Sequence, residues 1–210
     1  YPLNMSNTPT GGNVPEVSYD PVKAWNNTPI VNQPGKYFEG YEYLKKNATD
    51  SAAAGTALAT GQKTYNNAVN WGNEPAKVGA PLTPTIPELA KQSGLAVGTI
   101  SSVQWSHATP ATFSNAHNIS RNNYMAIANN MLSGNVMDVI MGAGHPQFNN
   151  DGVRQIPNYF DAAINDNVAR YVGGRDTWIA LNQGKHPEGW TLIQTKPEFD
   201  NLAKGNLPNN

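Results

Sequence analysis

The sequence predicts an α/β protein, a three-layer sandwich around a largely parallel central sheet, and three observations lead there. Apolar, β-favouring runs lie at residues 95–103 and 136–141, segments of helical spacing flank them, and Gly or Pro marks the joins. Strands that alternate with helices pair in parallel because the helices cover the faces of the sheet. A chain of 210 residues can bury one sizeable core. It shows no internal repeat and no second domain, so 1–210 reads as a single unit.

Residues 1–47 carry Pro9, Gly11, Gly12, Pro15, Pro21, Pro29, Pro34 and Gly35 without an apolar period, and they read as irregular surface chain. From Asp50 to Tyr65 the run of Ala52, Ala53, Ala54, Ala57, Leu58 and Ala59 predicts a helix after a Thr-Asp-Ser start. Its small side chains imply close packing against a sheet. Past a link with Pro75, Pro81 and Pro84, residues 86–92 predict a short helix that tolerates Pro87 in its first turn and stops at Gly94.

Residues 95–103 then form the first buried strand. Tyr124, Ile127, Ala128 and Met131 recur at helical spacing after Ser120, and Gly134 ends them. The second strand, 136–141, is closed by Gly142-Ala143-Gly144. Residues 160–171 predict a helix, 190–194 a strand, and 197–204 a helix begun by Pro and ended by Gly205.

Composition narrows the function. Lys and Arg number 14 against 15 Asp and Glu, so the chain lacks the basic field that nucleic acid or an anionic membrane needs. With no cysteine there is no disulfide, no thiolate metal site and no Cys nucleophile. No apolar run nears the roughly 18 residues of a membrane span. The expected partner is a small molecule. The chain opens on Tyr1 without a charged-then-apolar leader, so its start reads as a processed end or a cut.

Three segments carry candidate chemistry. In Thr49-Asp50-Ser51-Ala52-Ala53-Ala54-Gly55-Thr56, a serine at the first residues of a helix sets its hydroxyl beside free backbone N–H groups and the positive end of the dipole. A phosphate dianion is favoured there. A plain N-cap role for Asp50 or Ser51 accounts for the same spacing. In Ser106-His107-Ala108-Thr109-Pro110-Ala111 the histidine follows a strand end, where open α/β sheets place their sites, although a lone loop His also serves as a structural residue. In Ile119-Ser120-Arg121-Asn122, at the start of a helix, the guanidinium offers parallel donors that fit two phosphate oxygens, and a solvated surface charge is the plainer alternative. His117, His145 and His186 lack paired ligand spacing and read as structural.

Together these segments resemble the alkaline phosphatases. The stretch Asp50 to Asn66 is similar to that family's nucleophile segment, with Ala48 in place of the usual Ile or Val, a loss of packing volume. Ser-His-Ala-Thr-Pro-Ala resembles its magnesium-site segment, and Ser-Arg-Asn its phosphate clamp. The resemblance covers roughly residues 40–205, with 1–39 outside it, and implies an alkaline-phosphatase-like fold that is incomplete here.

What the resemblance implies about chemistry is hydrolysis of phosphate monoesters through a phosphoserine. Ser51 is the nucleophile and a metal contact, Arg121 binds substrate with Ser51, and Asp50 orients Arg121. Thr109 supplies a hydroxyl to Mg²⁺, with His107 in the outer shell of the metal. Two Zn²⁺ and one Mg²⁺ are the implied cofactors, yet the family's upstream Asp and downstream Glu, Asp and His ligands are missing, so the chain reads as a fragment. Its implied partners are small phosphate monoesters, inorganic phosphate and the remainder of the polypeptide, with a homodimer also open, in a periplasmic or secreted location.

Other readings remain open. One is a related phosphodiesterase, another a non-catalytic fragment that binds or scaffolds. A sulfatase is disfavoured because Ala53 stands where its modified residue needs Pro.

Overall fold

The computed structural model describes residues 20–72 and 79–206. Its first elements are helices α1 (Pro21–Ala24) and α2 (Glu39–Asn47), where irregular chain was expected. Glu39 and Glu42 in the first turn of α2, with Lys45 and Lys46 in the last, oppose the helix dipole. Gly40 lets α2 start against α1, since a Cβ there would sit 2.5 Å from the Ala24 carbonyl oxygen. Turn residues upstream outweighed this nine-residue signal. The expectations for 1–19 and for Pro75 fall outside the described residues.

Helix α3 (Ser51–Thr60) is the alanine-rich segment. It ends at Gly61, φ 72°, whose N–H returns to the Ala57 carbonyl, so it stops five residues short of the expected Tyr65. Helix α4 (Ile86–Gln92) forms as expected, started by a reciprocal cap in which the Thr85 hydroxyl and the Glu88 carboxylate each accept from the other's backbone N–H.

Strands β1 (Gly98–Gln104) and β2 (Val139–Ala143) pair in parallel, Gly98 opposite Val139 and Ile100 opposite Met141. Both lie further along the chain than the sequence suggests. The Asp138 carboxylate accepts from Val97 N–H (2.8 Å) and from the Lys91 ammonium (2.6 Å), so that side-chain clasp occupies the place where a ladder would begin. Gly142 belongs to β2 instead of closing it, because a Cβ there would meet the Val103 carbonyl oxygen at 2.8 Å. These two strands are the sheet that the described residues contain.

Between the strands run α5 (Ala108–Thr112), read from sequence as loop, and α6 (Tyr124–Leu132), read correctly. The expected helix at 160–171 is instead a chain of turns with one 3₁₀ turn at Arg170–Val172. Asn158, Asp161 and Asn165 each take a nearby backbone N–H, and the Arg175 guanidinium donates to the carbonyls of Phe160, Asp161 and Ile164. Local side chains thus bind the groups that a helix would have paired. Arg175 itself starts α7 (Arg175–Asn182), an element the sequence reading missed.

The expected strand at 190–194 has no ladder partner among the described residues. It is an extended strap, pinned where the Trp190 indole N–H donates to the Leu132 carbonyl (2.7 Å). Helix α8 (Lys196–Ala203) follows, begun as expected near Pro197. The core gathers Ile127, Met131, Ile164 and Trp178 with Ala108 and Ala111, and it lies beneath the N-terminus of α3.

Candidate functional site

The amino end of α3 is fixed by its own cap. Asp50 accepts from Ala52 N–H through Oδ2 and from Ala53 N–H through Oδ1, both at 3.1 Å. This satisfies donors that a helix start leaves open. Packing then holds the helix in place. The helix packs on α5 where a sheet was expected: Gly55 lies so close that a Cβ would sit 2.2 Å from the Thr112 hydroxyl, and the buried Thr56 hydroxyl donates to the Ala68 carbonyl (3.1 Å). Ser51 is thereby presented, half-buried, at a helix end that cannot shift easily.

Arg121 comes to it from seventy residues further on. It lies in a turn three residues before α6 rather than in the helix itself. One guanidinium nitrogen, Nη1, donates to Ser51 Oγ at 2.7 Å and to Asp50 Oδ2 at 3.0 Å. Nη2 faces His107 Nε2 at 3.2 Å. Arginine has only donors, so His107 Nε2 accepts and its proton resides on Nδ1. Nδ1 is buried with no hydrogen-bond partner among the described residues. Burial first, then the Arg121 charge, hold the His107 pKa below its ordinary 6.5.

Four of the expected residues, Asp50, Ser51, His107 and Arg121, therefore form one hydrogen-bonded group. Thr109 does not join it. It is exposed in the first turn of α5, where its carbonyl accepts from the Thr112 hydroxyl (2.9 Å), and no hydrogen bond links its side chain to the group. His107 does not stand free on a loop either. It occupies the N-cap position of α5 and stacks on Tyr124 at 6.3 Å between centroids. Sequence reading passed over the turn at 65–68, although Asn66-Asn67 is a turn signal. There the Asn67 backbone contacts both Asp50 and Arg121.

The donor set bears on metals. Among the described residues no three His, Cys, Asp or Glu side chains stand close enough to hold an ion. Zinc sites use three or four protein ligands, so this group does not by itself fit the two expected Zn²⁺ ions.

What the fold and site define is an α/β protein that brings a serine hydroxyl and a guanidinium together at the amino end of a capped helix. Comparison with known proteins makes the class specific. The profile of the alkaline phosphatase family matches residues 36–206. Alkaline phosphatase 4 of Bacillus subtilis is 45% identical over 108 residues, 49% of this chain and 22% of that protein. The repressible alkaline phosphatase of Saccharomyces cerevisiae is 32% identical over 165 residues, 77% of this chain and 26% of that protein.

Among solved structures, a cold-active alkaline phosphatase from Shewanella sp. is 41% identical, with a TM-score of 0.41 over 53% of this chain and 28% of that one. A mutant TAB5 alkaline phosphatase with Mg bound is 31% identical, with a TM-score of 0.38 over 43% of this chain and 24% of that one. This chain belongs to the alkaline phosphatase family. It spans about a quarter of the length of the curated relatives it matches.

Proposed function

We propose that this chain carries the nucleophile and phosphate-binding side of a phosphomonoester hydrolase that works through a phosphoserine. The observation behind this reading is the single Arg121 nitrogen that donates to Ser51 Oγ at 2.7 Å and Asp50 Oδ2 at 3.0 Å. A donor on Oγ lowers the cost of serine alkoxide, and Asp50 keeps the guanidinium over it. The phosphate oxygens then meet the guanidinium, whose second nitrogen turns from His107 Nε2 to the anion, at the positive end of the α3 dipole. The Oγ–P bond forms as the ester P–O bond breaks, and the proton given up by Ser51 passes through solvent to the departing oxygen, which leaves as the alcohol. Water next splits the phosphoserine, releasing inorganic phosphate and restoring the Ser51 hydroxyl.

Metal dependence, on two Zn²⁺ and one Mg²⁺, is part of this reading through family membership. Such ions supply Lewis acidity toward the phosphoryl group. Ser51, Thr109 and His107 are the oxygen and nitrogen groups this chain offers them, and the carboxylate and imidazole ligands must come from outside the described residues. The other partners are small monoesters, inorganic phosphate, the remainder of the polypeptide and a second copy in a homodimer, with 1–210 as one partial domain. A periplasmic or secreted location belongs to the same proposal. Among the described residues no helix is long and apolar enough to cross a membrane.

The test is acid-quench trapping with labelled phosphate on the full-length protein. Label should attach to the wild type and be absent after Ser51→Ala, with turnover lower by about 10³-fold or more. Label retained by the Ser51→Ala protein would refute the assignment.

A further inference from the structure

Between residues 65 and 69 the chain makes six hydrogen bonds to the two segments that carry the site, one of them the Thr56 hydroxyl to the Ala68 carbonyl already described. The Tyr65 hydroxyl donates to the Ile119 carbonyl at 2.7 Å. Val69 and Asn118 exchange both backbone bonds, at 3.0 and 2.8 Å. The remaining two are made by one residue. Asn67 N–H donates to Asp50 Oδ1 at 3.0 Å, and its carbonyl accepts from Arg121 N–H at 2.7 Å.

Those two contacts lie on either side of one Cα, so the φ and ψ of Asn67 set the separation of Asp50 from Arg121. Its φ is 76°, in the left-handed region that Gly and Asn enter and β-branched residues do not. Tyr65 braces the same turn from its buried position. Burial pushes its pKa up to about 12, so the hydroxyl remains a donor at neutral and moderately alkaline pH.

We infer that Asn67, braced by Tyr65, is a positioning residue for phosphate binding: its left-handed backbone sets the distance between Asp50 and Arg121 and so aims the guanidinium at an anion on Ser51. This rests on the proposed phosphatase reading of Ser51 and Arg121. A turn that only helped the chain fold would alter stability and leave phosphate affinity unchanged. A turn that aims Arg121 must alter affinity, because misplacement by a fraction of an ångström weakens bidentate contacts.

The experiment measures KM and kcat for p-nitrophenyl phosphate, Ki for inorganic phosphate and the melting temperature of the full-length protein. Asn67→Gly, which keeps the left-handed backbone, should hold Ki within about twofold, whereas Asn67→Val should raise Ki and KM together by about tenfold with a smaller fall in kcat. Tyr65→Phe, nearly isosteric, should raise Ki by about threefold. In an Arg121→Ala background Asn67→Val should add less than about twofold, since the residue acts through the missing side chain.

Equal effects of Asn67→Val with and without Arg121 overturn the inference. If Asn67→Val does not fold, an unchanged Ki for Tyr65→Phe overturns it instead. A wild type that neither hydrolyses the ester nor binds phosphate removes the phosphatase reading and this inference with it. A wild type that does both, beside an Asn67→Val protein that matches it, overturns this inference alone.

Discussion

The shoulder that carries Ser51 and the sheet beside it both rest on small or β-branched residues, yet one is closed and the other open. On the shoulder Ala52, Ala53 and Thr56 of α3 are wholly buried, as are Ala108 and Ala111 of α5 facing them. In the sheet Ile100 is 71% exposed and Val139 46%. The polar geometry of the site is therefore set by local pieces, a capped helix, a turn and a short second helix. The sheet, by contrast, has apolar surface that nothing in the described residues covers. The remainder of the polypeptide proposed above would find on that open surface a face to pack against.

The largest effect expected from that contrast is on activity. On the proposed reading, residues 1–210 expressed alone should hydrolyse no p-nitrophenyl phosphate with Zn²⁺ and Mg²⁺ added, because among the described residues no three His, Cys, Asp or Glu side chains stand together to hold an ion. Turnover by that chain that depends on Ser51 would show that the two regions are not so divided. Next comes Arg121→Ala in the full-length protein. Phosphoryl charge is present in both ground and transition states, so KM and phosphate Ki should rise together, by roughly 10–10²-fold, with a smaller fall in kcat. An unchanged Ki would place the clamp on another residue.

On the stability side the shoulder should be intolerant. Gly55→Ala forces a methyl toward the Thr112 hydroxyl, 2.2 Å from the added Cβ, and should cost about 1–3 kcal/mol as measured by denaturant unfolding. A neutral result would mean that α3 and α5 are free to part.

A smaller effect should follow acidification. Burial holds His107 and His145 below their ordinary pKa of 6.5; the Arg121 charge adds to the shift at His107, while at His145 the Gln194 hydrogen bond opposes it and the Arg154 charge adds to it. At His145, Nδ1 accepts from Gln147 N–H (3.1 Å), Nε2 faces Gln194 Oε1 (2.7 Å), and the Phe148 and Trp178 rings pack around it. A proton on Nδ1 would have to face another N–H. Below pH 6.5 the unfolded chain binds more protons than the folded one, so stability is full above that pH and falls as pH drops toward the folded pKa values. Melting between pH 7.5 and 5 tests it, and His145→Gln should flatten the slope.

How much of this was legible in the sequence follows the same division. Asp50, Ser51, His107 and Arg121 were picked out because each sits in a segment that resembles a known family's, and the structure brings those four side chains together. The α/β class and the parallel pair were legible from apolar runs. What could not be read were features that depend on distant contacts. Arg175 turned an apparent helix at 160–171 into successive turns, and Asp138 displaced the start of both strands. Helices α2 and α5 are short, and their periodic signal is weak against flanking Pro and Gly. Asn67 acts through its backbone, so its side chain announced only a turn.

The smallest expected effect is the sharpest test of the open sheet. Ile100 projects from β1 largely into solvent, so Ile100→Thr keeps a β-branched side chain on a strand and removes little buried surface. In residues 1–210 alone it should change unfolding free energy by no more than about 0.5 kcal/mol. If further polypeptide covers that face in the full-length protein, the same change buries a hydroxyl and forfeits apolar contact. The loss there should then reach about 1–3 kcal/mol. Denaturant titration of both proteins with and without the substitution gives the two values side by side. Equal and small changes would mean that Ile100 faces water in both, and that the open sheet is a finished surface rather than a docking face.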